Sequence, residues 1–208
     1  MVDSSRAKEI IEKIRAFLTR ERPHIKLFDE RIKRIFQIAG WVMLAGCIIY
    51  WIYFMFFTVE YKAVLYTTYF TIILISFTCI FKLESVFFNS ITCLPFFGFF
   101  NITIGLISQV TDWFSFILAP VLHGAITSFQ IFLVLHPKVP VSKKYLLWGL
   151  LFYITFMVSY DSFYRFNYII GLEEIIPTDF TKAYAFYALL LSVVFIYYYK
   201  KTFGLIVD

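Results

Sequence analysis

Charged residues are scarce in this chain. Only 16% of its 208 residues are charged and 61% are hydrophobic, whereas a soluble domain averages about 25% charged and about 45–50% apolar residues. This deficit excludes an ordinary water-facing surface over most of the chain. The composition therefore predicts a protein whose main solvent is the lipid bilayer.

Cysteines and recognisable catalytic motifs are also few. The three cysteines, Cys47, Cys79 and Cys93, lie in separate apolar runs and are too scattered for a disulfide framework or a CxxC metal site. The sequence contains no P-loop, Rossmann glycine set, GxSxG elbow or HExxH helix. We therefore predict no metal and no cofactor. The aromatic and basic end of the last apolar run is typical of a membrane interface, and we expect no nucleic-acid partner.

The charges that are present concentrate at the N-terminus. Residues 1–34 hold ten Lys/Arg and six Asp/Glu, while residues 35–208 hold nine and eight. This contrast divides the chain into a charged N-terminal segment, 1–34, and a transmembrane domain, 35–208. Within the first segment, apolar residues at helical spacing predict an amphipathic helix over 4–20. Such a helix would lie on the membrane surface or pack against a protein partner or the protein's own loops.

Six apolar runs are each about long enough to cross the hydrocarbon core, which takes roughly 20 helical residues. The fold class predicted is thus all-α, a polytopic membrane bundle of about six transmembrane helices. The third run is the weakest because Asn89, Pro95, Gly98 and Asn101 interrupt it, which favours a kinked or re-entrant segment. The runs are 36–58, 63–81, 86–108, 113–135, 145–163 and 183–199.

The basic residues of the connecting segments predict the orientation of this bundle. With the N-terminus inside, the inner segments hold sixteen Lys/Arg and the outer segments hold three. Basic residues are retained on the cytoplasmic side of membrane proteins. We therefore expect both termini on the positive-inside face, cytoplasmic or matrix.

Two groups of polar residues inside or beside the apolar runs are candidates for a functional site, because such residues are costly in lipid. His123 stands in the fourth run, between Pro120 and Gly124, as a catalytic base or as a bundle-facing residue hydrogen-bonded to a neighbouring helix. Asp161 and Arg165 end the fifth run. They form either an ion pair at the membrane edge or a substrate-binding site.

The residues that follow extend the second group. Asn167 and Tyr168 come directly after Arg165 and complete the predicted substrate-binding set at the outer interface. A guanidinium at this position would bind the phosphate or carboxylate of a lipid headgroup.

From about residue 113 to 180 the chain resembles the YwaF-type integral membrane family. That family is similar to eukaryotic membrane proteins that transfer acyl chains between phospholipids with a cysteine and a histidine. The likeness rests on Pro120 with His123–Gly124, on the basic turn His136–Lys144, and on Asn167–Tyr168 followed by Pro177.

The resemblance implies a catalytic pair, with His123 as the base. The segment Ile75–Cys79 matches the position of the family's cysteine but lacks the proline and histidine that accompany it. Cys93, followed by Leu94 and Pro95, is the second choice. The nucleophile implied by the resemblance is therefore either Cys79 or Cys93.

Three functions follow from these observations. The first is a non-catalytic subunit of a larger membrane protein complex, favoured by the absence of a complete catalytic signature. The second is a lipid acyltransferase that uses a cysteine and His123. The third is a small-solute or lipid transporter, in which spans broken by Pro95 and Pro120 line a cavity. Membrane lipids and protein partners within the bilayer are the expected partners.

Overall fold

A computed structural model of the protein describes residues 8–10, 12–13, 28–57, 67–98, 122–163 and 178–207. Over these residues the backbone is almost entirely helical. The described part of the chain has no strand, and its one β pairing is an isolated parallel bridge between Val141 and Ile206. The all-α prediction is confirmed. The helices are α1 Glu30–Phe57, α2 Thr67–Ile80, α3 Val86–Cys93, α4 Leu122–Leu135, α5 Lys143–Phe163 and α6 Thr178–Thr202.

Each predicted apolar run overlaps one of these helices, but the helices differ in length. Glu30–Phe57 and Ala183–Thr202 are long and apolar enough to cross a membrane. Tyr69–Ile80, Val86–Gly98 and His123–Leu135 are apolar but shorter, within the part of the chain that is described. Two helices thus meet the requirement for a membrane span, and the count of six spans stays a prediction. In the N-terminal segment, the described residues 8–10 and 12–13 are helical, inside the predicted helix 4–20.

The first two helices pack closely because Gly40 has no side chain. A Cβ atom at Gly40 would lie 2.7 Å from the carbonyl oxygen of Ser76 and 2.8 Å from the amide nitrogen of Ile80, both on α2. Further along the pair, the hydroxyl of Tyr69 donates to the hydroxyl of Tyr50 at 2.9 Å. Small residues allow such close approach of helix backbones in membrane bundles.

Helix α3 is short but lies at the centre of the structure, packed against α2, α4 and α5. Ser85 begins it, with its hydroxyl accepting a hydrogen bond from the amide of Phe88 at 3.3 Å. It ends at Cys93, and a turn at Leu94 and Pro95 precedes another helical stretch to Gly98. The predicted interruption at Pro95 is confirmed, since proline has no N–H for the helix ladder.

The distribution of side chains is the reverse of that in a water-soluble bundle. Several polar residues of α2, α3 and α4 are completely buried, among them Thr78, Asn89, Thr92 and Gln130. Large apolar side chains instead cover the outside of the long helices. Those more than half exposed on α1, α5 and α6 include Ile35, Ile38, Trp41, Val42, Ile49, Tyr53, Phe56, Trp148, Leu151, Tyr187, Val194 and Tyr198. An apolar surface this extensive requires lipid or protein to cover it.

Replacing Gly40 with alanine is expected to weaken the bundle. The new methyl group would overlap backbone atoms of α2, and overpacking of this kind costs about 1–3 kcal/mol. The matched control is Gly46→Ala on the same helix, where an added Cβ meets no atom within 4 Å. Thermal unfolding in mild detergent, followed by tryptophan fluorescence, should show a lower melting temperature for the first variant alone. Equal melting temperatures would contradict the proposed close contact.

Candidate functional site

Buried polar groups converge on residues 136–142, the loop between α4 and α5, which we call the α4–α5 loop. Its sequence, HPKVPVS, places prolines at 137 and 140. Prolines stop the helix and remove backbone donors. Val139 and Val141 are nonetheless completely buried. Buried carbonyl groups must be hydrogen-bonded, so this loop depends on donors from elsewhere in the chain.

Lys200 supplies the first of these donors. Its side chain, in the last turn of α6, is completely buried. The ammonium donates to the carbonyl oxygen of His136 at 3.0 Å and to that of Val139 at 2.8 Å. A buried charge is tolerated only when it is hydrogen-bonded or paired. Lys200 therefore joins the end of α6 to the α4–α5 loop.

Helix α3 supplies the next two contacts. The amide group of Asn89 donates to the carbonyl oxygens of Leu83, at 2.9 Å, and Pro140, at 3.2 Å. The hydroxyl of Ser90 accepts from the amide of Ser142 at 2.9 Å. The bonds to Pro140 and Ser142 bridge residues about fifty positions apart in the sequence. They fix the loop against the centre of the bundle.

The segment after α6 completes the attachment. The amide of Val141 donates to the carbonyl of Leu205 at 3.1 Å, and the amide of Val207 donates to the carbonyl of Val141 at 2.8 Å. Gly204 has a φ of +65°, a backbone conformation that glycine adopts at no steric cost. The turn at Gly204 brings the segment back beside the loop.

His136 is the first residue of the loop, and its ring accepts a hydrogen bond and packs between two aromatic rings. Its Nδ1 accepts a hydrogen bond from the amide of Lys138 at 3.1 Å. Its ring centroid lies 4.8 Å from that of Phe28 and 4.9 Å from that of Phe132. Burial lowers the pKa of His136, and the positive charges of Lys200 and Lys138 lower it further.

A second polar layer lies deeper in the bundle. The hydroxyls of Thr78 and Thr92 are 2.9 Å apart, and the amide of Gln130 donates to the carbonyl of Thr92 at 3.0 Å. This layer ties α2, α3 and α4 together. Among the described residues, the buried Oε1 of Gln130 and Oδ1 of Asn89 have no hydrogen-bond donor.

The predicted nucleophiles lie in the core. Cys79 is 1% exposed and packs with Ile75 and Ile126, and Ile126 is one turn after His123 on α4. Cys93 is 0% exposed in the main core cluster. A nucleophile must be reached by its substrate, and both thiols are enclosed in this conformation. The catalytic assignment of Cys79, Cys93 and His123 stays a prediction.

The structure reaches only the beginning of the predicted substrate-binding group. Asp161 lies in the last turn of α5, and its side chain is outside the described residues. Arg165, Asn167 and Tyr168 lie outside them altogether. Within the described ranges, no group of three or more His, Cys, Asp or Glu residues is placed to hold a metal ion.

Sequence reasoning missed the role of Lys200. It grouped Lys200 with Lys201 as a basic end to the last span, whereas the two side chains have opposite environments, one buried and one exposed. Neighbouring positions on a helix point in directions about 100° apart. The two prolines of the α4–α5 loop were the one feature of the sequence that pointed to this role. They predict that the loop carbonyls need hydrogen-bond donors from elsewhere in the chain, but they do not identify Lys200 as that donor.

No family model matches the chain, and neither a curated protein nor a solved structure matches it. The resemblance to the YwaF-type family therefore stays a prediction.

Lys200→Met is expected to destabilise the fold. The variant keeps the apolar stem but leaves the carbonyl of Val139 without the Lys200 donor, and the carbonyl of His136 keeps only the 3.3 Å bond from the amide of Val139. A buried group left unpaired costs about 1–3 kcal/mol. Lys201→Met is the control, since that side chain is exposed. Thermal melts in detergent should separate the two. Similar melting temperatures would show that the buried ammonium contributes nothing.

The stability of the protein should fall with acidification because of His136. Its pKa is lower in the folded chain than in the unfolded one, so the unfolded state binds the proton more readily. The contribution of neutral His136 to the free energy of unfolding is fully present above the pKa of the unfolded state, near 6.5. It is lost as the pH falls through that pKa towards the lower pKa of the folded state. His136→Phe keeps an aromatic ring without the titrating group. Melting temperatures measured from pH 8 to pH 5 should drop less in this variant, and identical pH profiles would contradict the assignment.

Proposed function

We propose that this chain is a multi-pass membrane protein that acts as a non-catalytic subunit of a larger membrane protein complex. The observation that carries the proposal is where the polar side chains of this chain make their hydrogen bonds. In the described core they bond to the chain's own backbone, while the outward surfaces of the long helices are apolar. Such an arrangement supports a scaffold embedded in lipid and bound to other apolar surfaces.

The position of the basic residues supports the predicted orientation. Lys200, Asn89 and Ser90 join the α4–α5 loop to the start of α3 and the end of α6. The ammonium of Lys33 lies 2.7 Å from a carboxylate oxygen of Glu84, which joins the start of α1 to the α2–α3 turn. These connections place Lys33 and the described lysines of the α4–α5 loop and of the end of α6 near one end of the bundle. Basic residues gathered at one end are what the positive-inside rule requires.

The pattern of exposed residues on the outer face of α1 supports the proposal of a protein partner. This helix packs mainly against α2. On the outside, Ile35, Val42, Ile49 and Phe56 repeat every seven residues and are between 59% and 74% exposed. Ile38, Ala45 and Ile52 are exposed between them. Apolar residues at these heptad positions form the seam through which helices pack on one another, so we assign the seam to a helix of a partner subunit.

A crosslinking experiment tests this assignment. A photoactivatable amino acid at Ile49 should yield a specific heterologous adduct in native membranes, visible as a discrete band whose second component is identified by mass spectrometry. The control places the same group at Met43, which packs against the core beside α2, where only internal products are expected. Migration of the mild-detergent extract as a lone protomer, with no adduct at Ile49, would sink the subunit proposal.

A lipid acyltransferase is the second candidate. It is favoured by the contact of Cys79 with Ile126, one turn along α4 from His123. In this reaction the thiolate of Cys79 would attack the acyl carbonyl of a phospholipid, form a thioester and release the lyso-lipid, with His123 receiving the thiol proton.

Acyl labelling distinguishes this candidate. Incubation with a phospholipid carrying a labelled acyl chain should give a hydroxylamine-sensitive adduct that is lost in Cys79→Ala and kept in Cys47→Ala. Absence of the adduct from the unmodified protein, or its persistence at full yield in His123→Ala, counts against the enzyme.

A further inference from the structure

Two lysines converge on one aromatic ring at the basic end of the bundle. The ammonium of Lys143, at the start of α5, lies 5.9 Å from the centroid of the Tyr197 ring. The ammonium of Lys201, at the end of α6, lies 5.7 Å from the same centroid. Both lysines are exposed. The ring of Tyr197 thus brings positive charges from two different helices to the same part of the surface.

These charges have no anionic partner in the described part of the chain. The ion pairs at this end involve Lys33, whose ammonium lies 2.8 Å from Glu30 and 2.7 Å from Glu84. No described carboxylate pairs with Lys143, Lys201 or the neighbouring Lys144. Two like charges near one ring repel each other, and an external anion beside them would relieve that repulsion.

An apolar surface continues from the lysines along both helices. On α5, Leu147 and Leu151 lie four and eight residues after Lys143, on the same face, and are 47% and 56% exposed. On α6, Val194 and Leu190 lie three and seven residues before Tyr197 and are 52% and 38% exposed. Eight helical residues span about 12 Å, close to the roughly 15 Å depth of the hydrocarbon in one leaflet.

We propose that Lys143 and Lys201 bind the phosphate of an anionic phospholipid whose acyl chains lie along the exposed apolar faces of α5 and α6. The charged headgroup and the acyl chains of such a lipid are both needed to match this surface. The lysines lie at one end of it, and the exposed apolar residues of α5 and α6 extend from that end along the two helices. The exposed Trp148 and Tyr198, 60% and 62% accessible, flank this end of the helices. Aromatic rings of this kind occupy the headgroup level of a membrane. The inference rests on the proposed membrane location and not on the subunit role.

Lipid retention in native mass spectrometry tests the site. The full chain, purified in neutral detergent, is titrated with phosphatidylglycerol and with phosphatidylcholine of the same acyl composition. We expect phosphatidylglycerol to bind more tightly. In Lys143→Gln/Lys201→Gln its affinity should fall on the order of thirtyfold at low salt, because each basic residue near an anionic lipid surface contributes about fivefold.

Two further variants make the result specific. Lys82→Gln/Lys138→Gln removes the same charge from the same end of the bundle, and should keep the preference for phosphatidylglycerol. Lys143→Arg/Lys201→Arg retains both charges and should bind like the original. Equal binding of the two lipids by the unmodified protein, or an equal loss in the Lys82/Lys138 control, would overturn the site.

The source of the phosphate and the membrane location are tested separately. Soluble glycerol phosphate should not displace the bound lipid at equal concentration, and displacement would show a site for free phosphate instead. Extraction of membranes with alkaline carbonate reports the location directly. A chain that resists extraction but shows no lipid preference disproves this site alone, whereas release by carbonate disproves the membrane location and the site with it.

Discussion

The buried ammonium of Lys200 is the contact on which the basic end of the bundle depends. Two prolines leave the α4–α5 loop with few donors of its own, and the loop is nevertheless buried. Lys200 donates to two of its carbonyls, while Asn89 and Ser90 bond to the loop from α3. Helix α3, helix α6 and the segment after α6 therefore all meet the short loop that joins α4 to α5. The relative positions of these elements at the basic end are set by the hydrogen bonds that the loop backbone requires.

Such buried hydrogen bonds are important for the arrangement of the helices because the outside of the bundle is apolar. Where lipid surrounds the helices, apolar burial does not favour one helix pairing over another, because hydrocarbon is as apolar as leucine. Pairing is then specified by close packing and by polar contacts. Gly40 provides the close packing between α1 and α2. The Thr78, Thr92 and Gln130 layer provides the polar contacts among α2, α3 and α4.

The helical class, the approximate position of each helix and the break at Pro95 could be predicted from sequence because they depend on local composition. Hydropathy marks apolar runs, and proline has a local effect on the helix ladder. The bonding partners of the buried residues could not be predicted. Asn89 and Pro140 are 51 residues apart, and Lys200 and Val139 are 61 apart. Nothing in the local pattern distinguishes the buried Lys200 from the exposed Lys201, since both are basic residues at the end of an apolar helix.

The lysines at the basic end thus serve different physical purposes although the sequence presents them as one charge bias. Lys200 satisfies buried carbonyls, and Lys33 lies within salt-bridge distance of two carboxylates, so neither charge is available to a ligand. Lys143 and Lys201 share the ring of Tyr197 and are exposed. A count of basic residues predicts orientation because every lysine resists transfer across the membrane. Of these four lysines, Lys143 and Lys201 remain able to bind an external anion, so the predicted orientation and the proposed lipid recognition would depend on overlapping but distinct sets of the same residue type.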